Sequence, residues 1–490
     1  MSILGRLFKP AAPADLSHSG DAAGAAKVTG TAQELFATGR FDAALAACRE
    51  GLALAPDDFA LLELAAESAL KTDKRDEADR LLRTALEVNP RSGPSHFLYG
   101  RFRLALGDLA GALASLDEAI RLSPDLAKAH NSRGAALQIM GRIDEALASF
   151  RRAHALDPQL WRASYNIGNL TKLYGRLEDA VAPFQQAMQT RRTGSMEATD
   201  LDDVATTRSK LIHDIEQLDY LARQAVVAPQ GQRAAEVLGA ALQAMEPQFK
   251  TGATVFPPEI KAMVAPYYNR LLNYYSAPAL PGGALNMDQD WAAIEAMYVR
   301  NAPGIAYLDN FLKPEALASL RRFCLESTIW FDYRYSGGYV GCTCEDGFIC
   351  QLLALPSIFG ENRIRGLWGY KYDSEQSGIS AHADFAAVNV NFWITPDDAN
   401  LDHESGGLVI WDKEAPLDWN FDDYNNNPAL IDTFIRETGA QKYVVPHRQN
   451  RVVLFNSDLF HKTDNYRFKP GYENRRINIT MLYGDRQSTP

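Results

Sequence analysis

The chain has 490 residues, 46% of them apolar and 23% charged, a globular composition too long for one ordinary domain and too apolar for a disordered chain. Fifty Lys and Arg against 61 Asp and Glu give a net charge of −11, which excludes the basic footprint of a general nucleic-acid or anionic-membrane binder. Five cysteines exclude a disulfide scaffold and point to a reducing, cytoplasmic setting, and no apolar run is long enough to span a bilayer.

Residues 1–24 read as a flexible leader. A repeat follows at once. Pro56, Pro90, Pro124 and Pro158 are spaced 34 residues apart, as are Gly39, Asp73, Gly107, Gly141 and Gly175. Ala44, Ala78, Ala112, Ala146 and Ala180 keep the same period, and so do the small residues Ala32, Ala66, Gly100, Gly134 and Gly168. The last set suits close crossing of two antiparallel helices, the Gly or Asp breaks the first helix, and the Pro ends the second. These spacings resemble tetratricopeptide repeats (TPR) over residues 25–194. The resemblance implies an all-α solenoid of five repeats with a concave face for a protein or peptide partner. Asn166, in YNIGN, matches a position that contacts peptide backbone in some such proteins. Asn131 and Asn169 are further candidates, and solvated groove residues are the alternative for all three.

Residues 195–300 form a helical connector, patterned as in Leu211, Ile212, Ile215, Leu218 and Leu221. Its His213 is expected at the surface or in a cap, and Tyr267, Tyr268, Tyr274 and Tyr275 as packing.

From residue 301 the pattern changes to short β runs: GIAYLDNF, RIRGLWGYKYD, AAVNVNFWIT, GGLVIW, KYVVP, RVVLFNS and RINITMLYG, with helices expected near 313–328 and 428–437. His382 and Asp384 are expected at the start of a strand. There i and i+2 share a face, and His461 follows 79 residues later. Two His and one carboxylate on one face are the ligand set of non-haem Fe(II) oxygenases, with structural zinc or satisfied core histidines as alternatives. Arg476, Asn478 and Thr480 share one face of their strand, and Ile477, Ile479 and Met481 the outward one. An inward Arg476 suits bidentate capture of a carboxylate. Tyr372, Asn389, Asn391 and Trp393 are expected to line the same cavity.

The order Tyr372, His382-x-Asp384, Glu404-x-Gly406-Gly407, His461, Arg476-x-x-Ile479-Thr480 resembles the 2-oxoglutarate/Fe(II) dioxygenases, nearest their prolyl 4-hydroxylase-like branch. The resemblance implies a double-stranded β-helix (jelly-roll) over residues 301–490, completing a multidomain α + β chain. It implies iron held by His382, Asp384 and His461, 2-oxoglutarate held by Arg476 with Tyr372, Asn391 and Trp393 around it, O2 as oxidant and ascorbate as an accessory reductant. Some relatives place Tyr at the position of Trp393. His403 and His447 are alternative ligands on loops. Cys342, Cys344 and Cys350 are expected on a Gly-rich loop at the mouth, and residues 414–446 as an insertion walling the substrate. Acids from Asp397 to Asp423, opposed only by Lys413, are solvated loops or an attraction for a basic substrate. Three functions compete: a hydroxylase whose repeats recruit a protein or peptide, an oxygenase of a small molecule or glycan with the repeats used for assembly, and a non-catalytic scaffold.

Overall fold

Each 34-residue period folds as two helices with a left-handed residue between them. The pairs are α1 (Asp21–Ala37) with α2 (Phe41–Leu54), α3 (Phe59–Lys71) with α4 (Arg75–Val88), α5 (Gly93–Ala105) with α6 (Leu109–Leu122), and α7 (Ala127–Ile139) with α8 (Ile143–Leu156). The break residues Gly39, Asp73, Gly107 and Gly141 have φ of 75°, 53°, 78° and 75°, a conformation Gly adopts freely and Asp tolerates. The helices α2, α4, α6 and α8 end two residues before the periodic prolines. The small residues lie at the helix crossing: a Cβ on Gly100 would come 2.6 Å from Leu116, and one on Gly134 2.6 Å from Phe150. A second periodic device is visible only in three dimensions. His96 Nε2 lies 3.1 Å from the Pro90 carbonyl and His130 Nε2 3.0 Å from that of Pro124, each tying a helix back to the proline turn before it.

The computed structural model describes residues 21–174, 177–193, 204–227, 229–278, 280–300, 304–332, 339–343, 364–376 and 380–486. It separates into two compact units, Met1–Asp157 and Pro158–Pro490. The division falls one repeat earlier than the expected end of the array at 194. The reason lies in packing: in the fifth pair, α9 (Trp161–Tyr174) and α10 (Leu177–Thr193), Ala180 and Phe184 join the core that Phe311, Leu320 and Phe323 build farther along the chain.

The second unit continues with β1 (Ala205–Thr206), α11 (Arg208–Arg223), α12 (Pro229–Met245), β2 (Thr254–Val255), α13 (Pro258–Val264) and α14 (Trp291–Arg300). Then come β3 (Ile305–Leu308), α15 (Pro314–Glu326), β4 (Tyr339–Thr343), β5 (Ile364–Tyr372), β6 (Glu375–Gln376), β7 (Val388–Trp393), β8 (Leu408–Glu414), α16 (Pro428–Glu437), β9 (Lys442–Val445), β10 (Val452–Asn456), β11 (Leu459–Thr463), β12 (Tyr466–Arg467) and β13 (Ile477–Tyr483). Among the described residues the strands form an antiparallel six-stranded sheet ordered β3-β10-β7-β13-β5-β4, a three-stranded sheet β11-β8-β9, and the pairs β12-β6 and β1-β2. Alternation sorts the faces. Val390, Phe392, Ile477, Ile479 and Met481 join α15 in one core, whereas Trp393, Val453 and Phe455 join Leu408, Ile410, Val445 and Leu459 of the smaller sheet in another.

Two expectations change here. Lys442–Val445 pairs with β8, so the segment 414–446 ends in a sheet strand rather than being wholly an insertion. Cys342 lies in β4, opposite Gly369, rather than in a loop; Cys344 and Cys350 lie outside the described residues.

The connector is more than a spacer. His213 is fully buried, not superficial, because α11 docks on the outer face of the β region. His213 Nδ1 lies 3.0 Å from Asp214, which also pairs with buried Lys210. Gln217 donates to the Leu325 and Ser327 carbonyls, and Arg475 pairs with Glu216 on α11 and with Asp373. Beside them buried Lys371 donates to the Cys324 carbonyl and the Tyr472 hydroxyl, 2.8 and 2.6 Å away.

Because Gly134 leaves no room beneath Phe150, Gly134→Val should destabilise the repeats by about 1–3 kcal/mol through overpacking. Thermal unfolding of the full chain, followed by far-UV circular dichroism, should show an earlier helical transition; an unmoved transition would contradict the crossing geometry.

Candidate metal and anion site

Two chain segments meet to form the site. His382 and His461 make an isolated antiparallel bridge, each backbone N–H donating to the other's carbonyl at 3.0 and 2.8 Å. His382 therefore sits ahead of β7 rather than within a strand. The backbone between the two ligands is held from outside the sheet: Ala383 N–H donates to the Tyr424 carbonyl at 2.9 Å, and Asn425 Nδ2 donates to the Ala383 carbonyl at 2.8 Å. Both partners belong to a π-helical turn, Asp422–Asn426. A register shift between Leu459 and His461 bends β11 at the ligand, a common use of a bulge.

The ligating atoms of His382, Asp384 and His461 all lie within 4.8 Å of one another. Both imidazoles are oriented alike. His382 Nδ1 is 3.0 Å from the Ser380 carbonyl and His461 Nδ1 is 3.0 Å from that of Leu459. A carbonyl only accepts, so these contacts call for Nδ1–H and leave each Nε2 lone pair for a metal. Asn389 Nδ2 donates to Asp384 Oδ2 at 2.7 Å, and His461 Nε2 is 3.4 Å from the same oxygen. Burial, then His461, pushes the His382 imidazole below its ordinary pKa. Burial alone would raise the Asp384 carboxyl, but His461, His382 and the Asn389 amide outweigh it and hold it below the usual range. A carboxylate with neutral imidazole is the donor set a divalent metal requires.

From this end a polar row runs along the inner face of the large sheet. Asn391 pairs with Thr480 and Trp393 with Asn478 across β7 and β13, and all four side chains are buried. Asn391 Nδ2 and Asn478 Nδ2 both donate to Thr480 Oγ1, at 3.0 and 3.1 Å. Asn389 and Trp393 are four residues apart, so the row covers roughly 13 Å of strand.

Arg476 closes that end. It is fully buried, with its guanidinium carbon 4.7 Å from the Tyr372 ring, 5.7 Å from Tyr466 and 5.8 Å from Trp393. Nε donates to the Gly406 carbonyl at 2.7 Å and Nη2 to that of Gly407 at 3.2 Å, leaving Nη1 without a protein partner. The glycine carbonyls take one edge of the guanidinium, and the other edge, Nη1 with the second N–H of Nη2, stays open for a bidentate grip. The glycines are needed where they stand. Gly406 has φ of 82°, and a Cβ on Gly407 would strike the Val445 carbonyl. Asn389, Asn391, Asn478, Trp393, Tyr466 and Ser457 each also carry a buried polar side-chain atom without a protein partner. Such atoms are costly unless a polar ligand meets them.

The structure thus brings together His382, Asp384 and His461 at one end and Tyr372, Trp393 and Arg476 at the other, with Asn391 between. Asn131 on α7 and Asn166 and Asn169 on α9 are half-buried and take no part in this site. His403 is exposed and, like His447, lies outside the ligand cluster. His447 is instead buried beside Arg476, Trp393 and Phe468, a placement the sequence reading missed. One signal was available: Val445 faces inward, and His447 keeps that phase two residues on.

Family models for the tetratricopeptide repeat match residues 63–127 and 127–160. No curated protein matches the chain. Among solved structures, MamA from Desulfovibrio magneticus RS-1 is similar at 18% identity, covering 34% of this chain and 96% of its own, with a TM-score of 0.31. TTC0263, a thermophilic TPR protein of Thermus thermophilus, is similar at 27% identity, covering 34% and 91%, with a TM-score of 0.31. YrrB, described as a TPR protein with an unusual peptide-binding site, is similar at 23% identity, covering 34% and 84%, with a TM-score of 0.29.

Burial, then the neighbouring Arg476, pushes His447 down to about 3 from an ordinary 6.5, so it is neutral in the folded chain. The unfolded chain takes up this proton first, so stability should fall as pH drops below about 6.5. His447→Leu should lose less stability between pH 7 and 5 than the wild type in denaturant titrations; an equal loss would show that His447 is not buried neutral. The period-34 helix pairs and the matching family models establish that the N-terminal region of this chain is a tetratricopeptide-repeat solenoid.

Proposed function

We propose that the C-terminal region is a non-haem Fe(II)- and 2-oxoglutarate-dependent dioxygenase that hydroxylates a protein or peptide recruited by the repeats. The observation that carries this reading is the pairing of a His-carboxylate-His cluster with a buried, partly unpaired arginine at the other end of one polar face. Zinc in a structural role explains the cluster but not the arginine, since structural zinc sites are closed by four protein ligands. Two antiparallel sheets sharing a core layer support a double-stranded β-helix.

On this reading His382 and His461 Nε2 and an Asp384 oxygen hold the iron and leave its remaining positions open. Bound there, ferrous iron and 2-oxoglutarate supply the oxidising chemistry, with succinate and carbon dioxide as coproducts. The two histidines, with the Asn389 amide, hold Asp384 ionised, and that amide fixes the carboxylate. The Ser380 and Leu459 carbonyls keep both imidazoles in the ligating tautomer. Arg476 Nη1 faces the distal carboxylate of the oxo acid in a dry aromatic cage, where its charge is screened least. Phe455, its ring 4.8 Å from that of His461, and the smaller sheet exclude water from the reacting face. Asn131, Asn166 and Asn169 are the proposed partner contacts of the repeats.

Purified full-length protein supplied with Fe(II), ascorbate and 2-oxoglutarate should form succinate slowly even without substrate. Asp384→Ala and His461→Ala should each abolish this; succinate formation that survives either change would overturn the assignment. Arg476→Ala should weaken 2-oxoglutarate binding at least tenfold while sparing metal affinity. Equal retention of both affinities would move the anion site elsewhere.

A further inference from the structure

Arg476 meets a carboxylate with one edge only. Nε and one N–H of Nη2 are taken by the Gly406 and Gly407 carbonyls, and Nη1 with the second N–H of Nη2 remains. A carboxylate offers about four acceptor positions on its two oxygens, and one guanidinium edge meets two of them, so it seeks a further donor. His447 meets that need by position and by chemistry. Its backbone N–H donates to the Ser405 carbonyl at 3.2 Å, beside the Gly406 and Gly407 carbonyls that seat Arg476. Its ring lies 5.8 Å from that of Trp393, the same indole that flanks the guanidinium, and 5.0 Å from Phe468. It is 5% exposed, and neither ring nitrogen has a protein partner. Trp393 Nε1 and the Tyr466 hydroxyl are single unpartnered atoms in the same neighbourhood; His447 is the side chain with two. A neutral imidazole always carries one N–H, so it donates to an anion without first gaining a charge.

We propose, resting on the oxygenase reading above, that His447 donates a further hydrogen bond to the distal carboxylate of the oxo acid, so that Arg476 and His447 together select a dicarboxylate. His447 then serves in binding and specificity, at the opposite end of the polar row from the reacting centre. A leucine of similar bulk would preserve the packing against Trp393 and Phe468 and remove the donor. A glutamine would restore an N–H.

The test is calorimetric titration of the full-length protein loaded with Mn(II), which occupies the metal site without turnover. The two probes are 2-oxoglutarate and pyruvate, which share the chelating oxo-acid end and differ in the distal carboxylate. Wild type should bind 2-oxoglutarate more tightly than pyruvate. His447→Leu should lose about tenfold or more in affinity for 2-oxoglutarate, the effect of one charge-assisted hydrogen bond, with pyruvate unchanged. His447→Gln should recover most of the loss. Unchanged 2-oxoglutarate affinity, or an equal loss for both acids, would overturn the role of His447. Should the leucine variant fail to fold, nitrogen-15 spectra of wild-type histidines decide: the His447 resonances should shift with 2-oxoglutarate and not with pyruvate, and a static signal overturns the proposal. A wild type that binds neither acid would instead overturn the oxygenase reading beneath it.

Discussion

A fully buried guanidinium without an ion pair among the described residues is the constraint around which the β region is arranged. Taking such a charge out of water costs several kcal/mol unless other groups replace the solvent. Here three aromatic faces surround Arg476 and two glycine carbonyls accept from it. The tight approach of β8 to β9 at Gly407, the left-handed turn at Gly406 and the placement of Trp393 on β7 all serve that one side chain. Burial still pulls its pKa down, a sign that neutral partners compensate the charge incompletely. An incoming carboxylate would complete the compensation, which is the electrostatic logic behind an anion site.

The metal end obeys a complementary rule. His382 and Asp384 lie on irregular backbone ahead of β7 and His461 at the register shift of β11, and each is aimed by a carbonyl or an amide. The bridge between His382 and His461 joins residues 79 apart in the chain, so it forms only when the large sheet and the small one have both folded. Ligand geometry thus depends on both sheets being in place, whereas Asn391, Thr480 and Trp393 lie within one sheet.

What could be read before any coordinates was whatever repeats at short range. The 34-residue spacing named the helix pairs, their breaks and their crossings, because each role is met by one small residue at a fixed offset. Strand alternation separated Ile477, Ile479 and Met481 from Asn478 and Thr480, and the structure divides them in the same way. Residues whose roles arise from distant partners were not legible. His213 reads as a surface histidine beside acids, and only the docking of α11 buries it. His447 follows a proline and looks like part of a loop, yet it stays in phase with β9. The engagement of two Arg476 nitrogens by glycine carbonyls is a three-dimensional fact with no local signature.

Arg475 and Arg476 are neighbours that point to opposite faces, and this pairing bears on where the β region begins as a folding unit. Arg475 is held by Glu216 of α11, and Lys371 and Tyr472 lie beneath the same helix. A chain shortened to start at residue 301 would keep every ligand and the whole polar row. It would also turn a buried lysine, a buried arginine and several aromatic rings out to water on the back of β5 and β13. The smallest autonomous piece of this protein that holds the site therefore reaches back through α11, into the segment that sequence alone describes as a mere link.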